Sequence, residues 1–215
     1  MKVVMCTGHG PEYQELADIT RPALERYCSR WGYHFLYDPK RTDFDACKVA
    51  LFLNAFRSGY YGRDDVFVWN DSDAVILNSD RRIESIVYEH MPSSVHYLIG
   101  TDPNGLNSGV FIARFSPEAA CFMQVATSIS VAMGWADQEA LIQTAVKFPH
   151  KAIYKEIPGK VFNCNLYEIR GWDKAFGEYG YYINRYEPGD FILHLAGTEE
   201  PTRSNLLKEY AARSK

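Results

Sequence analysis

The strongest constraint on this chain is an alternation at its start. "KVVMCT" is a buried-strand run closed by Gly8, and Gly10-Pro11 breaks it. Residues 12–31 carry Leu16, Ile19, Ala23, Leu24 and Tyr27 at helical spacing, and Gly32 stops them. "YHFLYD" reads as a second strand. Thr42 or Asp43 caps a helix to about residue 58, with Ala46, Val49, Ala50 and Leu53 on one face and Ser58-Gly59 at its end. "DVFVWN" is the third strand. This β-α-β-α-β order in the first ~75 residues predicts an α/β fold, an open and mainly parallel central sheet flanked by helices. Such sheets bind ligands beyond the carboxyl ends of their strands. Thr7-Gly8 and Asp71–Asp73 both stand at strand carboxyl ends.

The second half is less regular. Residues 80–91 read as helix, 95–99 as a short strand, "DPNGLNSG" as a Gly/Asn loop and "VFIARF" as a strand. Ser116-Pro117-Glu118 is a capped helix start, with Pro in the first turn. That helix runs to about residue 131, and "WADQEALIQTAV" opens another with Asp137 near its start. The last third is rich in Tyr and Gly. It ends in a strand that delivers His194, then Gly197 and a polar helical tail. With 215 residues and no repeat or linker, the reading is one domain, 1–215, in two halves of about 1–78 and 79–215.

Composition removes several function classes. The net charge of −4 gives no electrostatic case for nucleic acid or an anionic membrane. No run of ~18 apolar residues is present, so no membrane span is expected. "MKVVMCTGHG" is too short in apolar residues for a signal peptide. The five cysteines, at 6, 28, 47, 121 and 164, are odd in number and form no CxxC pair. Reduced thiols and a cytoplasmic location are the expectation. Asn70-Asp71-Ser72 is formally a glycosylation sequon, and a glycan there would bury the two carboxylates beside it.

Those carboxylates carry the chemistry. Asp71 and Asp73 follow an apolar strand, and in extended backbone positions i and i+2 share a face. Their oxygens suit one hard cation, Mn²⁺ or Mg²⁺. A capped turn explains the same residues, because Asp and Ser favour turns. His194 interrupts the apolar strand "FILHLAG", and two carboxylates with an imidazole suit Mn²⁺ better than Ca²⁺. A satisfied core histidine is the competing explanation. Gly197, three residues on, lets backbone approach a ligand closely.

"VWNDSDAVI", "GLNSGVFIARFS", "ADQEALI" and "YEPGDFILHLAG" occur here in an order that resembles glycosyltransferase family 34. That family holds fungal α-galactosyl- and mannosyltransferases and plant xyloglucan xylosyltransferases. "YCSRWGYHFLYD" and "FDACKVALFLNAF" resemble its upstream segments, so the likeness runs from Val3 to about Gly197. It implies a GT-A fold with a nucleotide-binding half (about 1–78) and an acceptor and catalytic half (about 79–215). It implies a UDP-sugar donor, a carbohydrate or glycoconjugate acceptor, and transfer with retention of anomeric configuration. Asp71, Asp73 and His194 would be the metal ligands, and Gly197 would face the diphosphate. Lys48 would reach the donor, unless it is a solvated helix lysine. Asn107 and Ser108 would line the sugar site, unless they only form a Gly/Asn turn. Asp137 and Gln138 would stand beside the reacting sugar, and Asp137 would cap its helix in either case.

Elementary chemistry agrees with that assignment. Charge grows on the β-phosphate of the leaving nucleotide, and a divalent cation stabilises it without a proton. The amides of Thr7 and Gly8 could help to hold the nucleotide. An acidic or amide side chain helps an oxocarbenium-like carbon. Two departures from the family pattern stand out. "HLAGTEEPTR" places Glu199 and Glu200 where the family carries a basic residue, which leaves Arg203 or Lys208 as the replacement cation. The chain also lacks the membrane anchor and the longer loop of eukaryotic members, as a compact microbial or viral version would. The first departure keeps a second reading open, a non-catalytic nucleotide-sugar or carbohydrate-binding protein on the same fold. A phosphohydrolase is disfavoured, because its Asp pair follows the first strand and not the third. Trp172, Tyr179, Tyr181, Tyr182 and Tyr186 could form an acceptor platform or pack beneath a loop.

Overall fold

A computed structural model describes residues 1–39, 44–102, 105–133, 137–147, 153–166 and 185–214. Among them the strands are β1 (Val3–Gly8), β2 (His34–Asp38), β3 (Val66–Asn70), β4 (Ala74–Ile76), β5 (Tyr97–Asp102), β6 (Gly105–Arg114), β7 (Tyr154–Pro158) and β8 (Ile192–His194). The helices are α1 (Gln14–Trp31), α2 (Phe44–Arg57), α3 (Ile83–His90), α4 (Pro117–Met133), α5 (Asp137–Lys147) and α6 (Thr202–Arg213). Short 3-10 turns open α1 and follow β7.

The central sheet has the order β2-β1-β3-β6-β5-β7. The β1–β2, β1–β3 and β5–β7 pairs are parallel, and only β6 runs against its neighbours. Side chains alternate across it as the strand period requires. Val3, Met5, Val66 and Val68 face α1 and α3, while Val4, Cys6, Phe67 and Trp69 face α2, α4 and α5. Both faces are covered, which is why β1 and β3 read as unbroken apolar runs. Separately, β4 and β8 form a two-stranded sheet between α1 and α6, with Val75, Leu193 and Leu195 packed on Leu16 and Leu207.

The helix boundaries follow local chemistry. Gly32 adopts φ 68°, and its amide bonds the Cys28 carbonyl, which ends α1 in the left-handed conformation that glycine tolerates. Ser116 caps α4, its Oγ accepting from the Ala119 amide at 3.2 Å. The Thr42 or Asp43 cap of α2 lies outside the described residues, as does the side chain of Ala46.

Three elements differ from expectation, each for a physical reason. On α2 the fully buried residues are Lys48, Phe52 and Ala55, and Val49 and Leu53 of the expected face pack half-buried beside them, so the stripe is centred a little to one side of the one read in the sequence. Phe52 sets it by packing edge-on to Phe67 and stacking on Phe115. "GLNSG" is not a loop but the first half of β6, paired with β5 across a bulge at Ile99/Gly100. β7 (YKEIP) is an edge strand; its Lys155 and Glu156 hide it from an apolar count.

Candidate metal centre

The cluster begins with the β3 alternation. Phe67 and Trp69 face the α2 side, and the next residue in that series is Asp71. The strand then turns. The Ala74 amide bonds the Asp71 carbonyl at 3.0 Å, and the Asn70 side-chain amide donates to the carbonyls of Asp71 and Ala74, both at 3.0 Å. Asp71-Ser72-Asp73 is thus a closed turn and a carboxylate pair at once. The turn, not strand alternation, brings Asp73 round beside Asp71. Ser72 is buried beneath it, its carbonyl bonded by Thr20 of α1 at 2.8 Å.

β8 supplies the third group. Its register sets His194 opposite Ala74, and the Leu195 amide bonds the Asp73 carbonyl at 3.0 Å. His194 Nε2 then lies 3.1 Å from Asp73 Oδ1 and 3.9 Å from Asp71 Oδ2. One ligand atom from each of the three residues lies within 4.8 Å of the others. Two atoms bonded to one hard cation at about 2.1 Å stand no more than about 4.2 Å apart, so both measured separations are compatible with a shared ion. Two carboxylates and an imidazole fit Mn²⁺ or Mg²⁺.

Cations surround the pair. Lys48, buried on α2, lies 3.2 Å from Asp71 Oδ1, and it donates to the Ser108 carbonyl at 3.1 Å and hydroxyl at 3.3 Å. Trp69 Nε1 donates to the same Asp71 oxygen at 2.6 Å. Arg203 of α6 reaches Asp73 Oδ2 at 3.3 Å. Burial by itself raises the Asp73 carboxyl, but the charge of His194, then that of Arg203, holds it at about 2. Burial likewise lowers His194, and the charges of Asp73 and Asp71 overcome it and raise the imidazole above its ordinary value.

The cluster opens on a cleft of about 500 Å³ at the carboxyl ends of the central strands. Asn107 and Ser108 line it, as do Gln138 from α5, Gly197 and Arg203. Gly197 takes φ 70°, a turn that glycine permits. Asp137 opens α5, and its side chain lies outside the described residues. Thr7 and Gly8 do not line the cleft. They stand behind it in the β1–β2 ladder, where the Gly8 carbonyl lies 3.5 Å from Ser72 Oγ.

The acidic departure has a structural use. Glu200 accepts from the Ser204 amide and hydroxyl at the start of α6, and from Arg203 Nε at 3.0 Å, so it helps to aim Arg203 at Asp73. Lys208 instead pairs with Glu15 on the surface at 2.9 Å. Asn70 is buried, so its sequon is closed in the folded chain. Tyr186 packs on Tyr210 of α6, and the other four aromatics of the expected platform lie outside the described residues. Sequence reasoning missed Asn163 and the role of Gly109, which both touch His194. Neither has a local signal, because each depends on a contact from a distant part of the chain.

Among the described residues no helix is long and apolar enough to cross a membrane. No protein-family model matches the sequence, and none of the curated proteins matches it. Solved structures do match in fold. A glycosyltransferase involved in glycosylation of the major capsid of PBCV-1 aligns with TM-score 0.69 and 18% identity, over 97% of this chain and 100% of that one. The galactosyltransferase LgtC, solved with donor and acceptor sugar analogues, aligns with TM-score 0.58 and 10% identity, over 99% and 96%. GlyE of Streptococcus pneumoniae TIGR4 aligns with TM-score 0.59 and 14% identity over 98% of this chain, which spans 60% of GlyE. At these identities the likeness is one of fold, and the fold is GT-A, a mostly parallel central sheet flanked by helices.

Proposed function

We propose that this chain is a metal-dependent glycosyltransferase. It moves a sugar from a nucleotide sugar, read as a UDP-sugar, to a hydroxyl of a carbohydrate or glycoconjugate acceptor, with retention. The observation that carries the reading is the meeting of Asp71, Asp73, His194 and Arg203 at one cleft, with Lys48 buried behind Asp71. Without a metal, the two carboxylates are matched by cations of the chain itself. A divalent ion held by the three ligands leaves these five side chains with surplus positive charge, and an oxyanion such as a diphosphate satisfies it. Glu200 takes back part of that surplus at Arg203.

The division of labour follows from position. Asp71, Asp73 and His194 hold the cation, which supplies neutralisation of the charge that grows on the leaving phosphate. Lys48 keeps Asp71 and Ser108 in place and adds positive charge on the α2 side. Arg203 and the Gly197 turn face the diphosphate. Asn107 and Ser108 bound the sugar, and Gln138, with Asp137 beside it at the start of α5, lies next to the anomeric carbon. Thr7 and Gly8 support the nucleotide end from behind the turn. In a front-face transfer the bond from the anomeric carbon to phosphate breaks as the acceptor oxygen bonds the same carbon, and the departing phosphate takes the acceptor's proton. No protein base is required. The resemblance to family 34 favours this retaining course and the division at about residue 78 into donor and acceptor halves.

Thermal denaturation with UDP tests the reading. Ligand at about a hundred times its Kd stabilises the native state by about 2.7 kcal/mol, several degrees in Tm at this size. That shift is expected with Mn²⁺ and not without it. A screen of UDP-sugars, with product anomers read by NMR, separates an enzyme from a binding protein. An inverted product anomer excludes the front-face course.

A further inference from the structure

His194 reaches the carboxylates with Nε2, and its other ring nitrogen is held by a chain of hydrogen bonds. His194 Nδ1 lies 3.0 Å from Asn163 Oδ1. Asn163 Nδ2 lies 2.9 Å from Asn107 Oδ1, and the Gly109 amide nitrogen lies 2.8 Å from the same oxygen. His194, Asn163 and Asn107 are all buried.

The direction of every bond follows from one fixed end. A backbone N–H can only donate, so the Asn107 atom facing Gly109 is the oxygen. That oxygen cannot donate to Asn163, so Asn163 turns its NH₂ group toward it. Asn163 must then present its oxygen to His194 Nδ1, and Nδ1 must carry a proton. We infer that Asn163 is a positioning residue, which with Asn107 and the Gly109 amide holds the His194 proton on Nδ1 and leaves Nε2 as the ligand atom. That use of Nε2 rests on the metal reading given above; the proton on Nδ1 does not.

The surrounding backbone is built for this arrangement. Cys164, next to Asn163, bonds β8 twice: its amide reaches the Ile192 carbonyl at 2.9 Å, and its carbonyl accepts from the His194 amide at 2.7 Å. These two bonds fix the backbone of Asn163 beside that of His194. A Cβ at Gly109 would stand 1.9 Å from His194 Cε1, so only glycine lets the ring occupy its place. A Cβ at Gly100, beside the β5 bulge, would stand 3.2 Å from the Asn163 Cβ. Gly109 also accepts from the Asp71 amide at 2.8 Å, so one residue ties the carboxylate turn to the histidine's support.

The test is NMR of ¹⁵N-labelled full-length protein, with the His194 ring identified by its loss in His194→Gln. ¹¹³Cd²⁺ serves as the probe metal. The expected result is cadmium coupling at Nε2 and an Nδ1 proton protected from exchange. Cadmium coupling at Nδ1, or an unprotonated Nδ1, overturns the inference. Asn163→Leu should expose the Nδ1 proton to exchange and weaken Mn²⁺ binding about tenfold to a hundredfold. Asn163→Asp keeps an oxygen for Nδ1 but sets its second oxygen against Asn107 Oδ1, so it should keep the Nδ1 proton protected and lose clearly less affinity than Asn163→Leu. Equal losses in the two variants would mean that Asn163 only fills space. Should Asn163→Leu not fold, the wild-type spectrum and Asn163→Asp still decide. If wild type binds neither cadmium nor manganese, the metal reading fails, and the metal-free spectrum, in which Nδ1–H is expected to be protected, decides the relay by itself.

Discussion

At the scale of single residues, two changes probe the cluster from opposite sides. Asp73→Ala removes a proposed metal ligand and the partner of both His194 and Arg203. It should abolish the Mn²⁺-dependent shift with UDP and lower turnover by more than about a hundredfold; turnover near wild type would remove Asp73 from the proposed role. Gly109→Ala leaves all three proposed ligands in the chain but drives a methyl into the His194 ring. It should cost about 1–3 kcal/mol in urea denaturation and also weaken Mn²⁺ binding. A silent Gly109→Ala would mean that the ring has room to retreat. Part of this was legible in the sequence. The D-x-D pair and a histidine at an apolar strand end are unusual enough to stand out. Asn163 was not legible, because an asparagine between two apolar residues looks the same whether it closes a turn or holds an imidazole.

At the scale of elements, α2 shows how packing positions charge. Phe52 locks against Phe67, Phe56 and Phe115, and one turn earlier the same stripe carries Lys48 to Asp71. Phe52→Ala should therefore act twice. It should destabilise the fold by about 3–5 kcal/mol. Of the folded fraction that remains, it should also weaken UDP binding, because Lys48 loses its anchor. Loss of stability with unchanged UDP affinity would separate the two effects. The alternating elements of the first half were legible because both sheet faces are covered and the strands are apolar throughout. The face of α2 was read off-centre: Val49 and Leu53 do pack on the core, half-buried, but the aromatic contacts of Phe52 set the middle of the stripe. β7 and the start of β6 failed for a related reason: edge position and ligand-facing polarity both remove the apolar signal of a strand.

At the scale of the whole molecule, the cysteines report on folding. Cys6, Cys28 and Cys164 are buried, while Cys121 is exposed. Burial, then the charge of Glu25, raises the Cys28 thiol to about 12. At pH 8 that leaves about one thiolate in ten thousand, and only the thiolate attacks a disulfide reagent. In a Cys47→Ser background, Cys121 should label at once. The three buried thiols should follow only as the chain opens globally, with rates that rise on adding urea. Fast labelling of Cys28 in native buffer would mean that α1 detaches from the sheet without unfolding the rest.

The small β4–β8 sheet has a consequence for biosynthesis. It pairs Ala74 with His194, so the two sides of the cluster are separated by more than half the chain. The early strands can assemble while the ribosome is still at work, but the third proposed ligand, His194, emerges long after the first two. Contacts this distant in sequence form late. A cation that needs all three groups then meets a chain whose central sheet is already in place. It should act as a latch, slowing unfolding far more than it hastens folding.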